Sequence, residues 1–568
     1  MRMKKRITVV LVILAVVGIF ISAGVIVYKK FAPSTTKRPM SEQYKLGGEE
    51  SLIILNGKPA EEKGRLINGN VYVPVSVATS KMNERIYWDD REDILSLATT
   101  GGLISVNAAD SLRYTAGKEN REMAFQILYQ DGEETYVAMD FVSQYSRINY
   151  SWVQEPNRIV VQADFEQTHT FAKLADDIRL RVGPNKKYDY LLELSKGQEV
   201  LVDTEVSPEN EYQRILTLDG IEGYVPVEYL AEKTERTWQT DKQADTFAQM
   251  SLGENVCLGW HQMTGVIGGA DLEARVAQAG SLNVISPTWF ALSDNKGNVS
   301  SLASEDYVNA AHAKGLKVWG LVNDFNKKIS LKKILGRTSV RAKLVQNLVT
   351  AAMKYNLDGI NIDFEKITKE SAPAYLEFLR ELVLQCHANN LVVSVDDYLP
   401  TDSSAFYNWA EQGRVVDYVI FMAYDEHYAG SKESGSVSSL PFVENGVDMG
   451  LQYIPKERVV VALPFYTRLW KETKQKGKKE ISSGAYGMSA AESVLQSNGV
   501  TSSWDEATSQ YYAEFKSEGS KYKIWLEEET SLEKKLQAVM SRQVAGVAFW
   551  KLGFERPVTW TTIAKFVK

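Results

Sequence analysis

The stretch that decides the fold reads Leu357-Asp358-Gly359-Ile360-Asn361-Ile362-Asp363-Phe364-Glu365. Its Asp-Gly pair favours a turn, and the remainder predicts a buried strand. Because side chains alternate between the two faces of a strand, the apolar residues lie on one face and Asn361, Asp363 and Glu365 on the other. Burying carboxylic acids costs free energy unless they are paired or used in chemistry. The pattern therefore favours a functional acid cluster over the alternative, an edge strand with a solvated acidic face.

The spacing Asp-Gly-x-Asn-x-Asp-x-Glu closely resembles the Asp-Gly-x-Asp-x-Asp-x-Glu signature of glycoside hydrolase family 18, which includes chitinases and bacterial N-acetylglucosaminidases. The resemblance implies a (β/α)8 TIM barrel with the signature on its fourth strand. The sequence departs from the family signature at one position, because Asn361 replaces the first Asp of the signature's Asp-x-Asp-x-Glu part. An amide cannot take a proton, so we expect Asn361 to hydrogen-bond Asp363 in a fixed way and to shift the pH optimum without removing the acid catalyst.

The rest of the C-terminal part, 250–568, supports a barrel independently of that signature. Eight short apolar stretches alternate with amphipathic helical patterns such as 339–355 and 372–389, as a parallel barrel requires. The stretch 467–545 is too long for one crossover and predicts an inserted α+β subdomain followed by the last helix pair. The predicted strands are 255–261, 282–290, 317–322, 359–365, 391–397, 417–424, 458–466 and 546–552.

The carboxyl ends of these strands, where barrel active sites lie, are rich in aromatic and acidic residues. A single Trp or Tyr is more typical of core packing, but five such strand ends together predict a sugar-binding cleft. Met422-x-Tyr424-Asp425 also resembles the family's strand-six motif, and Trp550 resembles the tryptophan that floors its central subsite. The segment Trp525-Leu526-Glu527-Glu528 resembles one found in the peptidoglycan and spore-wall branch. The predicted substrate-binding residues are Asn361, Asp425, Met422, Trp550, Tyr466 and Trp289.

The resemblance also implies a mechanism with three catalytic residues. Asp363 and Glu365 are roughly 7 Å apart along one strand face, so they cannot flank a sugar as the two acids of ordinary glycosidases do. Family 18 enzymes instead use the substrate's 2-acetamido group as the nucleophile. By that resemblance, Glu365 protonates the leaving oxygen, Asp363 holds the acetamido N–H, and Tyr424 donates to the acetamido oxygen. Burial should raise the pKa of Glu365, and the anomeric configuration should be retained.

The N-terminus predicts export. The run 7–28 carries no charge and is long enough to cross about 30 Å of hydrocarbon as a helix. Basic residues before it keep that end in the cytoplasm, which predicts a single-pass anchor over 1–31 with the catalytic domain outside the cell. A cleaved signal peptide, and hence secretion, is the alternative. Residues 32–50 are interpreted as a linker.

Composition excludes several other classes of protein. The chain has 568 residues, enough for several domains, and a net charge of −7 gives no sign of nucleic-acid binding. Its five histidines form no metal-spaced cluster, and we expect no cofactor. The two cysteines, Cys257 and Cys386, are expected to be buried thiols rather than a disulfide.

Two smaller domains are predicted between linker and barrel. The first, 51–164, contains a repeat in which Trp88 aligns with Trp152, and each copy runs strand, short helix, strand. It resembles the N-terminal-like domain of copper amine oxidases, although it offers no His or Cys set for copper. The second, 173–231, resembles bacterial SH3 domains, which often bind cell-wall peptide; a spacer without a ligand is the alternative.

These observations predict a membrane-anchored, outward-facing glycosidase acting on N-acetylglucosamine linkages in peptidoglycan. Membrane tethering and a wall-type domain favour peptidoglycan over chitin, although a chitinase remains an alternative. An inactive glycan-binding module is the alternative from a different class, and the presence of Glu365 argues against it. A scaffold for other wall enzymes is a third alternative, which the two accessory domains permit.

Overall fold

The computed structural model describes residues 2–475 and 478–567. The chain forms two compact units: 1–86, 106–113 and 122–244 make up the first, and 87–105, 114–121 and 245–568 the second. In the first unit, the helix Arg2–Phe31 includes Ile7–Phe31, which is apolar and long enough to span a membrane, a property that signal sequences share. The predicted barrel 250–568 and its insertion include 476–477 and Lys568, which lie outside the described residues.

The segment predicted as a linker, 32–50, is ordered. The Ser34 N–H donates to the Lys186 carbonyl at 2.8 Å, and the Arg38 N–H donates to the Tyr190 carbonyl at 2.8 Å. A short helix, Met40–Tyr44, follows, and Tyr44 packs against the buried cluster of the sheet beneath it. Backbone pairing and apolar burial hold this segment against the sheet that includes Tyr190, and its interpretation as a linker stays a prediction.

Strands from the two copies of the internal repeat lie side by side in the first sheet, as its fifth and sixth strands. The two copies pair antiparallel, with Val137 opposite Val73, and each runs into a helix, Val75–Val77 with Ala78–Met82 in one copy and Met139–Tyr145 in the other. The seven strands, in spatial order, are Asn149–Val153, Arg158–Gln162, Glu50–Leu55, Lys58–Ile67, Asn70–Pro74, Glu134–Ala138 and Leu128–Asp131.

The predicted domain 51–164 is not a single unit. A separate five-stranded antiparallel sheet interrupts it, and residues 87–105 and 114–121 of that sheet belong to the same unit as the barrel. Within this unit, the Asp89 carboxylate accepts from the Thr338 N–H, which explains the grouping. The strands are Ile86–Asp89, Ile94–Thr99, Gly102–Asn107, Arg113–Ala116 and Glu119–Glu122.

Residues 169–236 form a second seven-stranded antiparallel sheet. Arg181, from the Arg-x-Gly-Pro element, is buried and donates to the backbone carbonyls of Ser34 and Tyr188. The SH3-like interpretation of 173–231 stays a prediction. The strands, in spatial order, are Tyr190–Leu194, Ile178–Arg181, Glu222–Pro226, Tyr212–Thr217, Glu199–Val202, His169–Leu174 and Leu230–Arg236.

The C-terminal part is a closed barrel of eight parallel strands, as predicted. The ring closes because the first strand pairs with both the second and the eighth, and the second pairs with the third. All eight predicted stretches contain a strand. In chain order the strands are Val256–His261, Val284–Pro287, Lys317–Asn323, Gly359–Asp363, Val392–Tyr398, Tyr418–Met422, Val459–Pro464 and Gly546–Trp550.

Two apolar layers hold the barrel. Trp319 and Tyr418 stack inside it with ring centroids 5.5 Å apart. Outside, Phe364 stacks on Phe378 of a helix at 5.7 Å, and Cys257 and Cys386 are buried free thiols, as predicted. The helices are Gly269–Val276, Glu305–Ala313, Leu331–Leu335, Thr338–Lys354, Ala372–His387, Trp409–Val415, Leu440–Gly450, Glu529–Ser541 and Thr559–Ile563.

The predicted α+β insertion follows the seventh strand. A helix, Met488–Ser497, packs on five antiparallel strands, and the buried Glu527–Lys535 ion pair, 2.6 Å between Oε1 and Nζ, joins the insertion to the helix Glu529–Ser541. The segment that resembles the spore-wall branch therefore has a structural role here. The strands, in spatial order, are Lys478–Gly487, Tyr466–Gln475, Ser520–Leu526, Gln510–Ser517 and Ser503–Asp505.

Candidate active site

The fourth barrel strand delivers the acid cluster by the alternation that its sequence predicts. Ile360 and Ile362 point into the outer apolar layer, whereas Asn361 and Asp363 are buried on the inner side of the barrel. The strand ends at Asp363, so Glu365 stands just beyond it, at the mouth of the barrel. The strand therefore sets the three polar side chains at successive heights, from the barrel interior to its opening.

Asn361 binds four groups at the base of the site. Its Oδ1 accepts from Trp260 Nε1 and from Ser286 Oγ, each at 3.0 Å. Its Nδ2 donates to Ser394 Oγ at 3.0 Å and to Asp396 Oδ1 at 2.7 Å. The expected hydrogen bond to Asp363 is absent from the described residues, because neighbouring strands already use every donor and acceptor of the amide. Asn361 thus supports the site from below, and our prediction about its partner is corrected.

Asp363 is an unpaired buried acid. It is 6% exposed, and its Oδ1 has no hydrogen-bond partner within the described residues. Burial, followed by the charges of Asp396, Glu365 and Asp324, raises the pKa of Asp363 well above its usual value. A buried carboxyl group with an unused acceptor is suited to receive a donor from a ligand.

Glu365 has the surroundings that a proton donor requires. Burial, followed by nearby acids, raises the pKa of Glu365, although a hydrogen bond from the Tyr398 hydroxyl to Oε2, 2.5 Å long, opposes that rise. Its backbone N–H donates to Asp324 Oδ1 at 3.2 Å, which fixes the turn after the strand. A raised pKa suits a general acid, because the carboxyl group then keeps its proton to higher pH than a free glutamic acid does.

The carboxyl ends of the sixth and seventh barrel strands supply a second set of polar residues to the site. Tyr424 is half-buried, with its ring edge against Tyr466 at a centroid distance of 6.1 Å. The Tyr466 hydroxyl donates to Asp425 Oδ1 at 2.6 Å, and Arg468 lies 3.8 Å from the same oxygen. Burial keeps the pKa of Tyr424 well above its usual value, so its hydroxyl remains a hydrogen-bond donor.

A cavity of about 330 Å³ joins these groups, and seven of the nine predicted residues line it. Trp550 forms one wall and packs on Trp260 at a centroid distance of 5.9 Å. Asn361 lies beneath the cavity rather than in its wall. The cavity-lining residues that we predicted are Asp363, Glu365, Met422, Tyr424, Asp425, Tyr466 and Trp550.

Trp289 is not in the cleft, so its predicted role in substrate binding is corrected. It is 2% exposed and packs edge-on against Tyr307, 5.1 Å away, in the outer apolar layer. The second strand ends at Pro287, and the chain then turns the indole away from the barrel mouth. Strand ends in the sequence locate the mouth, but they do not give the direction of a side chain in the loop that follows.

Sequence analysis missed three groups that shape the site: Asp324, Asp396 and Arg468. Asp324 directly follows the third strand, and Asp396 lies within the fifth, so position at a barrel strand end is a usable signal for both. Arg468 lies in the inserted subdomain, where no motif marks it. An adjoining pocket of about 750 Å³, which Tyr398, Tyr428 and Phe442 help to line, extends the cleft. No metal-binding cluster of His, Cys, Asp or Glu occurs among residues 2–475 and 478–567.

Acids and aromatic rings gathered at the carboxyl mouth of a closed parallel barrel define a glycoside-cleaving enzyme of the TIM-barrel class. The chain belongs to the glycosyl hydrolases family 18, whose model matches residues 236–555, more than half of its length. A second model, the copper amine oxidase N-terminal domain, matches residues 54–161.

Curated relatives resemble this chain in sequence, and a solved structure resembles it in fold. The glycosylase YvbX of Bacillus subtilis is 25% identical over 312 residues, which cover 50% of this chain and 85% of that protein. The cortical fragment-lytic enzyme of Bacillus subtilis is 24% identical over 238 residues, 41% of this chain and 54% of that enzyme. The C-terminal domain of a putative chitinase from Desulfitobacterium hafniense shares the fold, with a TM-score of 0.51 at 20% identity, covering 56% of this chain and 100% of that one.

Proposed function

We propose that this glycosidase is anchored in the membrane and cleaves N-acetylglucosamine linkages in peptidoglycan outside the cell, by a retaining, substrate-assisted mechanism. The observation that carries the mechanism is that Asp363 ends the fourth strand and Glu365 follows it two residues later at the barrel mouth, with both residues lining the same cavity. Two acids arranged in this way cannot stand on opposite sides of a sugar.

In the proposed reaction, Glu365 protonates the leaving oxygen while the substrate's acetamido carbonyl attacks the anomeric carbon. The free Oδ1 of Asp363 accepts the acetamido N–H and the carboxylate offsets the positive charge of the oxazolinium intermediate. Tyr424 donates to the acetamido oxygen, and Asp425, oriented by Tyr466, contacts the same sugar. Glu365 then takes a proton from the water that opens the intermediate, and the configuration is retained.

Several observations support peptidoglycan as the substrate. Two of the relatives, both from Bacillus subtilis, are named as a cortical fragment-lytic enzyme and a putative sporulation-specific glycosylase. A probable chitinase of Drosophila melanogaster is also similar, 24% identical over 252 residues, so chitin is the second candidate. The proposed SH3-like domain, 173–231, would add affinity for cell-wall peptide, or would serve as a spacer.

The N-terminal helix supports the proposed location. Ile7–Phe31 is apolar and exposed where it is described, as a segment in lipid would be. Anchoring would keep the enzyme next to the wall that it cleaves, whereas removal of the helix as a signal would release it. A catalytically weak scaffold protein would need the same location, but it would not need the buried acids of the site.

Mass spectrometry of muropeptides tests this proposal most directly. Purified walls and, in parallel, chitin oligosaccharides are digested with the full-length protein and with Glu365→Gln. New reducing ends at N-acetylglucosamine, from walls and only with the unaltered protein, support the proposal. Cleavage of chitin alone identifies a chitinase, and no cleavage of either substrate leaves the scaffold function.

A further inference from the structure

Asp396 is a buried acid that the mechanism above does not use. It lies on the fifth barrel strand, is 3% exposed, and accepts from Asn361 Nδ2 through one oxygen, Oδ1, at 2.7 Å. The amide takes only that oxygen and leaves the other for a second donor. A buried, charged carboxylate with one neutral donor is poorly compensated.

The strand register places Asp396 beside Asp363. Asn361 is opposite Ser394, and Ile362 is opposite Val395, so the next positions along the two parallel strands are Asp363 and Asp396. Neighbouring strands are about 4.8 Å apart. Both side chains line the cavity, so the two carboxyl groups face the same space from adjacent strands.

The groups around Asp363 and Asp396 disfavour a negative charge on both carboxyl groups at the same time. Burial and the charge of Asp396 raise the pKa of Asp363, and burial also raises the pKa of Asp396. Among the described residues, the charges that shift these two pKa values are all acidic. The titratable groups around the pair are Glu365, Asp324, Asp397 and the phenols of Tyr375, Tyr398, Tyr407 and Tyr424.

We propose that Asp396 shares a single proton with Asp363 and so supplies, from the fifth strand, the acid that position 361 lacks. In the resting enzyme the proton lies between the two carboxyl groups and gives the free Oδ1 of Asp363 a partner. With a sugar bound, the proton stays on Asp396 and the negative charge stays on Asp363, facing the oxazolinium ion. The pair keeps one proton and one negative charge throughout. Asp396 is therefore a positioning residue, and this inference rests on the proposed role of Asp363.

If Asp396 and Asp363 share one proton, the number of protonated aspartic acids in each variant can be predicted. Infrared difference spectra of the full-length protein in detergent, with carbon-13-labelled aspartate, report protonated aspartic acids through their carboxyl stretching band. At neutral pH, Asp396→Asn and Asp363→Asn should each lose one protonated carboxyl, since the remaining acid no longer faces the carboxylate of its partner on the adjacent strand and ionises. The double variant should lose no more than either single variant. Asp425→Asn, at an exposed acid, is the control and should lose none.

Relocating the acid tests the same inference through catalysis. Asp396→Leu, which removes both the proton and its donor, should lower kcat at least about tenfold, equivalent to one pKa unit, with little change in KM. Asn361→Asp combined with Asp396→Asn moves the acid back to the fourth strand, and should restore the infrared band and kcat to within a few-fold of the unaltered protein. A purely structural Asp396 would give no such restoration.

Four results overturn the inference: a loss of two bands in the double variant, a loss in only one of the single variants, no loss in either, or no restoration by relocation. If Asp396→Asn does not fold, Asp363→Asn decides alone, because it must remove the band.

The infrared result does not depend on turnover. If Glu365→Gln stays active, the proposed function fails; if Glu365→Gln is inactive while the band persists in both single variants, only the shared proton fails.

Discussion

The Tyr398 hydroxyl donates a 2.5 Å hydrogen bond to Oε2 of Glu365, so the candidate acid catalyst has a phenol as its partner when no sugar is bound. The side chain of Tyr398 is partly exposed and also lines the adjoining pocket. This hydrogen bond engages one of the two carboxyl oxygens and leaves Oε1 for the proton that a leaving oxygen would receive. Tyr398 therefore holds the carboxyl group in place.

Replacing Tyr398 by Phe should move the alkaline limb of activity to higher pH. The hydrogen bond favours the charged carboxylate and lowers the pKa of Glu365, so its loss raises that pKa and keeps the acid protonated to higher pH. A kcat profile against pH measures the shift. Tyr428→Phe, at an exposed ring in the adjoining pocket, is the control. A shift to lower pH in Tyr398→Phe would contradict this role.

Glu365→Gln should abolish turnover and retain glycan binding. Glutamine has the same shape but cannot protonate the leaving oxygen, so the expected loss in kcat is at least about a hundredfold. Hydrolysis of a chromogenic N-acetylglucosaminide and calorimetric binding of an oligosaccharide measure the two properties separately. Glu370→Gln, at an exposed acid that follows the site in sequence, should leave both unchanged. Turnover of Glu365→Gln within a few-fold of the unaltered protein would remove Glu365 from the mechanism.

A thiazoline analogue of N-acetylglucosamine should inhibit the enzyme competitively. It imitates the oxazolinium intermediate, and enzymes bind such mimics more tightly than their substrates. Asp363→Asn should weaken this inhibition, because the carboxylate no longer offsets the charge. Mass spectrometry after incubation with a 2-fluoro glycoside provides the opposite test. A sugar bound covalently to any carboxylate would show a mechanism with two acids instead.

Membrane fractionation should find the protein in the membrane pellet. High salt should not release it, whereas detergent should, because each buried CH₂ of the helix contributes about 0.8 kcal/mol. Protease added to wall-stripped, intact cells should remove the domains beyond the helix, and a cytoplasmic marker protein serves as the control. A shortened protein in the medium, beginning within or just after Ile7–Phe31, would instead show a cleaved signal.

Lys535→Met should destabilise the barrel by about 3–5 kcal/mol, since it leaves Glu527 buried without its partner. Burial already raises the pKa of Glu527 to about 7, and Lys535 opposes that rise. A folded-state pKa above the unfolded value gives stability at low pH that is lost as pH rises, so the defect should shrink in mild acid.

Urea unfolding followed by tryptophan fluorescence at two pH values measures this effect of Lys535→Met. Lys565→Met breaks a largely exposed pair with Glu533 and should cost under about 1 kcal/mol at either pH. Equal stability of Lys535→Met and the unaltered protein would show that the buried pair does not hold the insertion to the barrel.

Local periodicity predicts much of this fold. Alternation over 359–365 and the apolar strand stretches are properties of short segments, and all eight barrel strands lie where those segments are. The partners of Asn361 come from Trp260, Ser286 and Ser394, on three other strands, and no local pattern indicates which of them reaches the amide. The same limit applies to Trp289, because the turn after Pro287 sets its direction.

The predicted domain 51–164 agrees with the family match at 54–161, but its division between two compact units could not be predicted from the sequence. The repeat that begins at Val71 and again at Thr135 is visible in the sequence, and its two copies do pair with each other. The grouping of 87–105 with the barrel depends on contacts such as that between Asp89 and Thr338, which are 249 positions apart. Contacts across that separation have no signature in composition or in local pattern.

The four hydrogen bonds of Asn361 have a consequence for the order in which the protein assembles. They connect the fourth strand to the first, second and fifth, so they can form only after half of the barrel is in place. Contacts between distant parts of a chain form late, because closing long loops costs entropy before the contacts repay it. The floor of the cleft is therefore completed only when the first, second, fourth and fifth strands are together, and a chain that has lost any of these strands lacks part of that floor.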